Sequence, residues 1–150
     1  MCIRDRYRVS PVVLVKKKDG SYRFCVDFRK VHKVTEVHSF PMPLVADALD
    51  SLVGASVFST LVLKSGFWQV QMPQDSQQKT AFATQNGLYE FLTMPFRLVN
   101  SGATFQRLMG HILRGLEYHF ALIYIDDIII FSKSVDGYLV HLKDGFKKVA

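Results

Sequence analysis

Two adjacent carboxylates, Asp126 and Asp127, interrupt an otherwise apolar run from Phe120 to Phe131. The run is typical of two short β-branched strands with the aspartates at the turn between them. Neighbouring carboxylates repel each other, and each costs free energy to remove from water. Two interpretations therefore stay open from the residues alone. One is a solvated Asp-Asp turn, and the other is a site for a hard divalent cation, Mg²⁺ or Mn²⁺, which also binds substrate phosphates.

A second group of candidate residues is cationic. Three consecutive lysines, residues 16–18, precede Asp19 and Gly20, and Arg23 follows them. Lysine as a point charge and arginine as a planar fork both suit phosphate oxygens, although a solvated cationic turn has the same composition. The chain has 19 Lys and Arg against 13 Asp and Glu, a net charge of +6. This surplus is compatible with a polyanionic partner and does not prove one.

Composition excludes several classes of protein. The 150 residues suffice for about one domain, and 49% hydrophobic with 21% charged residues is globular usage rather than disordered, collagenous or coiled-coil. No apolar stretch approaches the roughly 20 residues that a membrane span needs, so we expect no membrane partner. Cys2 and Cys25 are too few and too isolated for a disulfide framework or a zinc site, and the five histidines lack ligand-spaced partners.

The elements that must position these residues alternate between hairpins and helices, which predicts an α+β fold. The dipeptides Asp19-Gly20 and Asn86-Gly87 are typical of hairpin turns, and the helices follow from apolar residues at helical spacing. We expect Trp68, Tyr89, Phe105 and Met109 in the core. The predicted elements are a hairpin over 11–26, a helix over 44–52, a strand over 57–63, a hairpin from segments 79–84 and 88–92, a helix from Asn100 or Ser101 to Leu116, a hairpin over 120–131 and a helix from 136 onward.

Several motifs, in order, give the chain a family resemblance. Tyr124-Ile125-Asp126-Asp127 resembles the tyrosine-x-Asp-Asp box of reverse transcriptases. The surrounding sequence resembles the reverse transcriptases of gypsy-type LTR retrotransposons and is collinear with them from about Ser10 to the end of the chain. The motifs are SPVVLVKKKDGSYRFCVDFRKV (10–31), FPMPLVADALDSLVGASVFSTL (40–61), LKSGFWQVQM (63–72), KTAFAT (79–84), GLYEF (87–91), MPF (94–96), ATFQRLM (103–109) and FSKS (131–134).

The resemblance implies a right-hand polymerase palm with part of the fingers, an antiparallel sheet packed against helices. Residues 10–150 would form this fragment of a Pol polyprotein, with the thumb and RNase H absent, and residues 1–9 would be non-family or artefactual. The implied activity is RNA-directed DNA polymerisation, a two-metal nucleotidyl transfer of dNTP to a primer 3′-hydroxyl on an RNA or DNA template. The implied partners are template-primer, dNTP and the protease, RNase H and integrase of the polyprotein. The implied location is intracellular, in a cytoplasmic virus-like particle.

The resemblance also assigns roles to individual residues. Two Mg²⁺ (or Mn²⁺) ions are expected in the family, because one ion lowers the pKa of the primer hydroxyl while the other neutralises the leaving pyrophosphate. The assigned residues are Asp126 and Asp127 as catalytic metal ligands; Lys17, Arg23, Phe67, Phe96 and Arg97 as nucleotide-binding; and Tyr124 and Gln106 as nucleic-acid-binding.

Departures from the family pattern predict an impaired copy. Val62 stands where the family has its first metal-ligating aspartate, and an isopropyl group cannot ligate a cation. Arg97 stands where the family has glycine, Gly102 replaces a proline, and Gly137 and Tyr138 enter a helical segment. We therefore expect a reverse transcriptase fragment that is catalytically impaired. The alternative is a decayed, non-catalytic nucleic-acid-binding or interaction remnant of a retroelement.

Overall fold

The computed structural model describes residues 9–149. These residues divide into two units: the hairpin unit, residues 9–37 and 67–101, and the sheet unit, residues 38–66 and 102–149. The segment 1–9, expected to be unrelated to the family, lies outside the described residues apart from Val9, and so does Cys2. Helices and antiparallel sheets occur together, which confirms the α+β prediction. The elements are β1 (Val12–Lys16), β2 (Tyr22–Val26), α1 (Arg29–His32), α2 (Val45–Ser51), β3 (Val57–Val62), α3 (Gln74–Gln77), β4 (Phe82–Thr84), β5 (Gly87–Tyr89), α4 (Ser101–Ile112), β6 (Ala121–Tyr124), β7 (Asp127–Ser132) and α5 (Val135–Val149), with 3-10 helices at Gly66–Gln69 and Gln78–Thr80.

Two hairpins form the hairpin unit, as predicted. Strands β1 and β2 pair antiparallel from Val12 opposite Val26 to Lys16 opposite Tyr22. Gly20 in the connecting turn has φ +81°, a left-handed conformation that glycine adopts without a Cβ penalty. Strands β4 and β5 form the second hairpin.

The second hairpin begins later than expected. The predicted strand from Lys79 is wrong, because residues 78–80 form a 3-10 helix. The Thr80 hydroxyl donates to the Gln77 carbonyl at 2.6 Å and accepts from the Phe91 amide at 2.9 Å. These two bonds hold the helical turn and delay the strand to Phe82.

The sheet unit has a three-stranded antiparallel sheet in the order β3-β7-β6. Helix α5 packs closely on this sheet, because a Cβ at Gly145 would meet Ile130 Cδ1 at 2.7 Å. The hydroxyl of Tyr138 on α5 also hydrogen-bonds with that of Ser59 on β3. Tyr138, one of the two departures in this helix, is thus accommodated by the packing. The buried apolar side chains described in this unit are Phe105, Met109, Leu113, Ala121, Leu122, Ile123, Ile128, Ile130 and Phe131.

Helix α4 ends at Ile112 rather than at the predicted Leu116. Residues 113–116 continue as hydrogen-bonded turns, and Gly115 has φ +87°, the left-handed conformation that commonly ends a helix. The predicted core positions Phe105 and Met109 are confirmed as buried.

The core predictions for Trp68 and Tyr89 are wrong, since their residues are 51% and 47% exposed. The Tyr89 ring stacks on Phe82 within a two-stranded sheet, and the Trp68 ring packs against Phe96. These contacts leave about half of each residue in solvent. Among the described residues, no helix has both the length and the apolar composition needed to cross a membrane.

Candidate functional site

The Asp-Asp box of the sheet unit forms a tight turn. Tyr124 at the end of β6 pairs with Asp127 at the start of β7, which leaves Ile125 and Asp126 as the two turn residues. Ile125 has φ +54°, a conformation that is strained for a β-branched side chain. Strain of this kind persists only where the surrounding structure fixes it.

Gln106 on α4 fixes the turn. Its side chain is buried, at 2% exposure. The Nε2 group donates to the Ile123 carbonyl at 3.1 Å, and Oε1 accepts from the Ile125 amide at 2.6 Å. The side chain therefore satisfies two backbone groups beside the aspartates and positions the turn. Direct contact of Gln106 with nucleic acid stays a prediction.

Asp126 carries an unpaired buried oxygen. Its Oδ1 atom is inaccessible and has no hydrogen-bond partner among the described residues. Burial raises the pKa of the Asp126 carboxyl, and the neighbouring charge of Asp127 raises this pKa further. A cation at this oxygen would offset both effects.

Gly66 lies beside the carboxyl of Asp126. A Cβ at Gly66 would lie 3.4 Å from Asp126 Oδ1 and 2.7 Å from Phe105 Cζ, a distance that real Cβ atoms do not show. Glycine is therefore required for the chain to pack this closely against Phe105 of α4, beside the turn. The sequence shows this glycine in LKSG (63–66), but no local pattern indicates that it lies beside the Asp-Asp turn.

Val62 lies beside the aspartates. It is the cross-strand partner of Asp127 in the β3–β7 pair, and the following amide, that of Leu63, donates to the Asp126 carbonyl at 3.2 Å. Directly opposed antiparallel residues have Cβ atoms about 5 Å apart on one face of the sheet. Val62 is 68% exposed, so its isopropyl group occupies the place next to Asp127 without being buried.

The resemblance implies a pair of metal ions at this turn. The unpaired Asp126 oxygen and the Asp127 carboxylate suit a single hard cation. Two ions need further carboxylates to bridge them. Within residues 9–149 no cluster of three Asp, Glu, His or Cys residues could hold a metal ion. The residues present therefore do not fit the two-ion set.

Five cationic residues of the hairpin unit line an open cavity of about 470 Å³, namely Lys16, Lys17, Lys18, Arg23 and Arg97. The one acid among them, Asp19, accepts hydrogen bonds from the Ser21 amide at 2.9 Å and the Ser21 hydroxyl at 2.7 Å. These bonds lower the pKa of the Asp19 carboxyl. The structure brings together three of the predicted nucleotide-binding residues here: Lys17, Arg23 and Arg97.

Arg97 has an unusual backbone. Its φ is +71°, in the left-handed region that favours glycine. Its carbonyl accepts a hydrogen bond of 2.7 Å from His32 Nε2. Arg97 and His32 also line a neighbouring cavity of about 250 Å³ with Asp27 and Arg29. Hydrogen bonds from Arg29 hold the pKa of Asp27 at about 2, and the two side chains form an ion pair at 2.6 Å.

The predicted nucleotide-binding aromatics also meet within the hairpin unit. The Phe67 and Phe96 ring centroids are 5.1 Å apart, and Phe96 lies 5.7 Å from the Trp68 ring. Phe67 is buried and Phe96 is exposed. Tyr124 of the sheet unit is exposed next to Asp127. The predicted residues are therefore divided between the two units, with the nucleotide-binding residues in the hairpin unit and the others in the sheet unit.

Known proteins match this chain over nearly its whole length. Residues 15–150 match the family model described as reverse transcriptase (RNA-dependent DNA polymerase). The chain is 43% identical over 142 residues to the retrovirus-related Pol polyprotein from transposon 297 of Drosophila melanogaster, covering 92% of this chain and 13% of that polyprotein. It is 40% identical over 126 residues to an RNA-directed DNA polymerase homolog of Oenothera berteroana, covering 82% of this chain and 89% of that protein.

Solved structures give the same result. The foamy viral protease-reverse transcriptase dRH in complex with double-stranded DNA matches with a TM-score of 0.84 at 28% identity, over 94% of this chain and 25% of that one. The foamy viral enzyme in complex with an RNA/DNA hybrid matches with a TM-score of 0.82 at 27% identity, over 94% of this chain and 19% of that one. The chain thus spans a small part of the polyprotein and of both solved chains.

Proposed function

The chain belongs to the reverse transcriptase (RNA-dependent DNA polymerase) family, and we propose that it is a palm and partial fingers fragment in which nucleotidyl transfer is impaired. The proposed parent is the Pol polyprotein of a gypsy-type LTR retrotransposon. Homologues named as transposon Pol polyproteins support that origin. The parent reaction is attack of a primer 3′-hydroxyl on the α-phosphate of a deoxynucleotide paired to an RNA or DNA template.

One observation carries the proposed impairment: Val62 is the cross-strand partner of Asp127. In the proposal, Asp126 and Asp127 retain two of three carboxylates that hold Mg²⁺ or Mn²⁺ in the family. The third position is apolar, so the remaining donors do not suffice for two ions. Each 1.36 kcal/mol of lost transition-state stabilisation lowers the rate about tenfold, and loss of a metal ligand removes several such increments.

The hairpin unit supplies the proposed nucleotide site. Lys17, Arg23 and Arg97 would face the triphosphate, which their shared cavity supports. Phe67 and Phe96 would face the sugar and the incoming base, which their ring contact supports.

The proposed partners follow from the relatives. Two solved neighbours are complexes with double-stranded DNA and with an RNA/DNA hybrid. We extend this to a template-primer partner for the present chain, with Tyr124 among the contacts. Protease, RNase H and integrase segments of one polyprotein, and a cytoplasmic virus-like particle, complete the proposal.

A second candidate function is a non-catalytic nucleic-acid-binding or interaction remnant. The same observation at Val62 favours it, together with the net charge of +6. Under this candidate, restoring a carboxylate at position 62 restores no chemistry.

Primer extension separates the two. Residues 10–149 are placed in the reverse transcriptase of the transposon 297 polyprotein in place of the matching segment, and RNA-templated extension is measured with Mg²⁺. We expect the Val62→Asp chimaera to extend at least about a hundredfold faster than the Val62 chimaera. Val62→Asn is the control, because asparagine has the shape of aspartate without its charge. Its chimaera should extend as slowly as the Val62 chimaera. If the Val62 and Val62→Asp chimaeras both extend the primer rapidly, the proposed impairment is contradicted. If neither chimaera extends the primer, the result favours the non-catalytic remnant.

A further inference from the structure

Helix α5 carries an apolar stripe that its own sheet does not cover, which we call the α5 seam. Its members recur at spacings of four, three and four residues: Val135, Leu139, Leu142 and Phe146. These are the spacings of positions a and d in a heptad repeat, with which one helix packs along another. Val135, Leu139 and Phe146 are 63%, 59% and 50% exposed, so the α5 seam faces solvent.

The packing of α5 on its sheet determines which side of the helix faces outward. The Tyr138 hydroxyl hydrogen-bonds with that of Ser59, and Gly145 lies against Ile130. Tyr138 and Gly145 are about two helical turns apart and therefore share the side that contacts the sheet. The outer side has an open groove of about 520 Å³, lined by Leu139, Leu142, Lys143, Phe146 and Lys147. The α5 seam is thus accessible to a second helix.

Two charged residues flank the α5 seam. Asp136 and Lys143 directly follow its d positions, and both are exposed. Neither forms an ion pair within residues 9–149, whereas the neighbouring Lys147 pairs with Asp144 at 3.7 Å. Charged residues beside the apolar positions form ion pairs between the helices of a coiled coil and set their orientation.

An antiparallel second copy of α5 matches the apolar side chains. With Leu139 opposite Leu142 of the second copy, Val135 lies opposite Phe146, and a two-fold axis repeats both contacts. At each end of the α5 seam the smallest member therefore faces the largest, which fills the space between the helices evenly. In a parallel arrangement each residue faces its own copy, so that two Phe146 rings meet at one level and two Val135 side chains at another.

The same register also matches the charges. It places Asp136 beside Lys143 of the second copy, and the two-fold axis repeats this pair. A parallel arrangement keeps Asp136 and Lys143 seven residues apart along the axis, roughly 10 Å. The unpaired charges of α5 are therefore complementary to those of a second copy in the antiparallel orientation alone.

We propose that the α5 seam is a homodimer surface, along which two copies of the chain pair antiparallel with Asp136 of each bound to Lys143 of the other. The sheet already orders α5, so that association carries little further entropic cost of folding the helix. A seam of two heptads is smaller than the roughly 800 Å² per partner of a stable interface. We therefore expect a weak dimer, with a Kd of about 10–100 µM.

Sedimentation equilibrium of the full 150-residue chain tests the proposal, at low salt and in reducing buffer. The reducing agent excludes a disulfide between copies through Cys2 or Cys25. We expect a reversible equilibrium of monomer and dimer between about 10 µM and 1 mM chain. Leu139→Ser should weaken dimerisation about tenfold or more, because its apolar contact is lost twice in a symmetric dimer.

Val140→Ser is the matched control, because Val140 is the next residue of α5, is 58% exposed and lies outside the α5 seam. Its dimerisation should differ from that of the unmodified chain by less than about twofold. Circular dichroism verifies that each variant is folded.

Charge reversal tests the antiparallel register. Asp136→Lys and Lys143→Asp each place like charges opposite each other, so each variant alone should dimerise about threefold or more weakly. An equimolar mixture of the two variants should recover the affinity of the unmodified chain within about twofold, because every opposed pair is then attractive. High salt should reduce this difference, because it screens exposed ion pairs.

Three results would overturn the proposal. They are a monomer at every concentration, equal losses in Leu139→Ser and Val140→Ser, or a mixture of the two charge variants that dimerises no better than either alone. A monomer would assign the α5 seam to an occupant other than a second copy. The measurement contains neither metal ion nor nucleic acid, so its outcome is independent of the primer-extension result.

Discussion

At the scale of single residues, the unpaired Asp126 oxygen is the most consequential feature. Burial and Asp127 raise the pKa of Asp126 above its unfolded value. Between the unfolded and folded pKa values the folded state binds more protons than the unfolded state. The free energy of unfolding therefore falls as pH rises through that window, and the charged carboxylate opposes folding at neutral pH.

Replacing this carboxylate should stabilise the fold. We expect Asp126→Asn to raise the free energy of unfolding by roughly 1 kcal/mol at pH 7, at the low end for a buried group without a partner. The gain should shrink as pH falls through the raised pKa of Asp126, because the carboxyl of the unmodified chain then becomes protonated. Urea denaturation at pH 7 and pH 4.5 measures both values. A gain independent of pH, or a loss at pH 7, would contradict the assignment.

At the scale of elements, the Asp-Asp turn depends on a helix rather than on its own sequence. Ile125 adopts a left-handed conformation, and the hydrogen bonds of Gln106 link α4 to that turn. These two hydrogen bonds join residues that are 17 and 19 positions apart in the sequence. They hold both the backbone that carries Asp126 and the start of β7.

Removing the link should destabilise the protein and displace the turn. We expect Gln106→Leu to cost about 2–3 kcal/mol, because the Ile123 carbonyl and the Ile125 amide lose their partner. Arg107→Ala, at the next and exposed position of α4, should change stability by less than about 0.5 kcal/mol. Urea denaturation of both variants measures the difference. Equal effects would show that the Gln106 amide does not hold the turn.

The elements were largely predictable because local patterns determine them. Asp19-Gly20 and the apolar runs beside it predicted the first hairpin, and helical spacing predicted α2 and α4. The errors have local causes too: Thr80 side-chain bonds delay β4, and Gly115 shortens the region expected to be α4. Local patterns do not show which distant groups a buried amide will reach. The hydrogen bonds of Gln106 and the close packing of Gly66 beside Phe105 and Asp126 could therefore be seen only in the structure.

At the scale of the whole molecule, family membership and chemical competence are separate properties. Residues 15–150 match the reverse transcriptase model, and the fold matches solved relatives. Apolar packing preserves that fold, because it depends on a pattern of apolar residues that tolerates substitution. The proposed chemistry depends on a few carboxylates. The sequence predicts that Val62 replaces one of them, and the β3–β7 register places this exposed residue opposite Asp127.

Manganese binding by the chain itself tests the central claim, that the residue at position 62 determines how tightly the Asp-Asp turn holds metal. Free Mn²⁺ is followed by electron paramagnetic resonance during titration of the unmodified chain, Val62→Asp and Val62→Asn. Val62 is exposed, so both replacements should fold. We expect Val62→Asp to bind Mn²⁺ at least about tenfold more tightly than the unmodified chain, because it adds a carboxylate next to Asp127, and Val62→Asn to match the unmodified chain. Equal Mn²⁺ affinity for the unmodified chain and Val62→Asp would contradict the account.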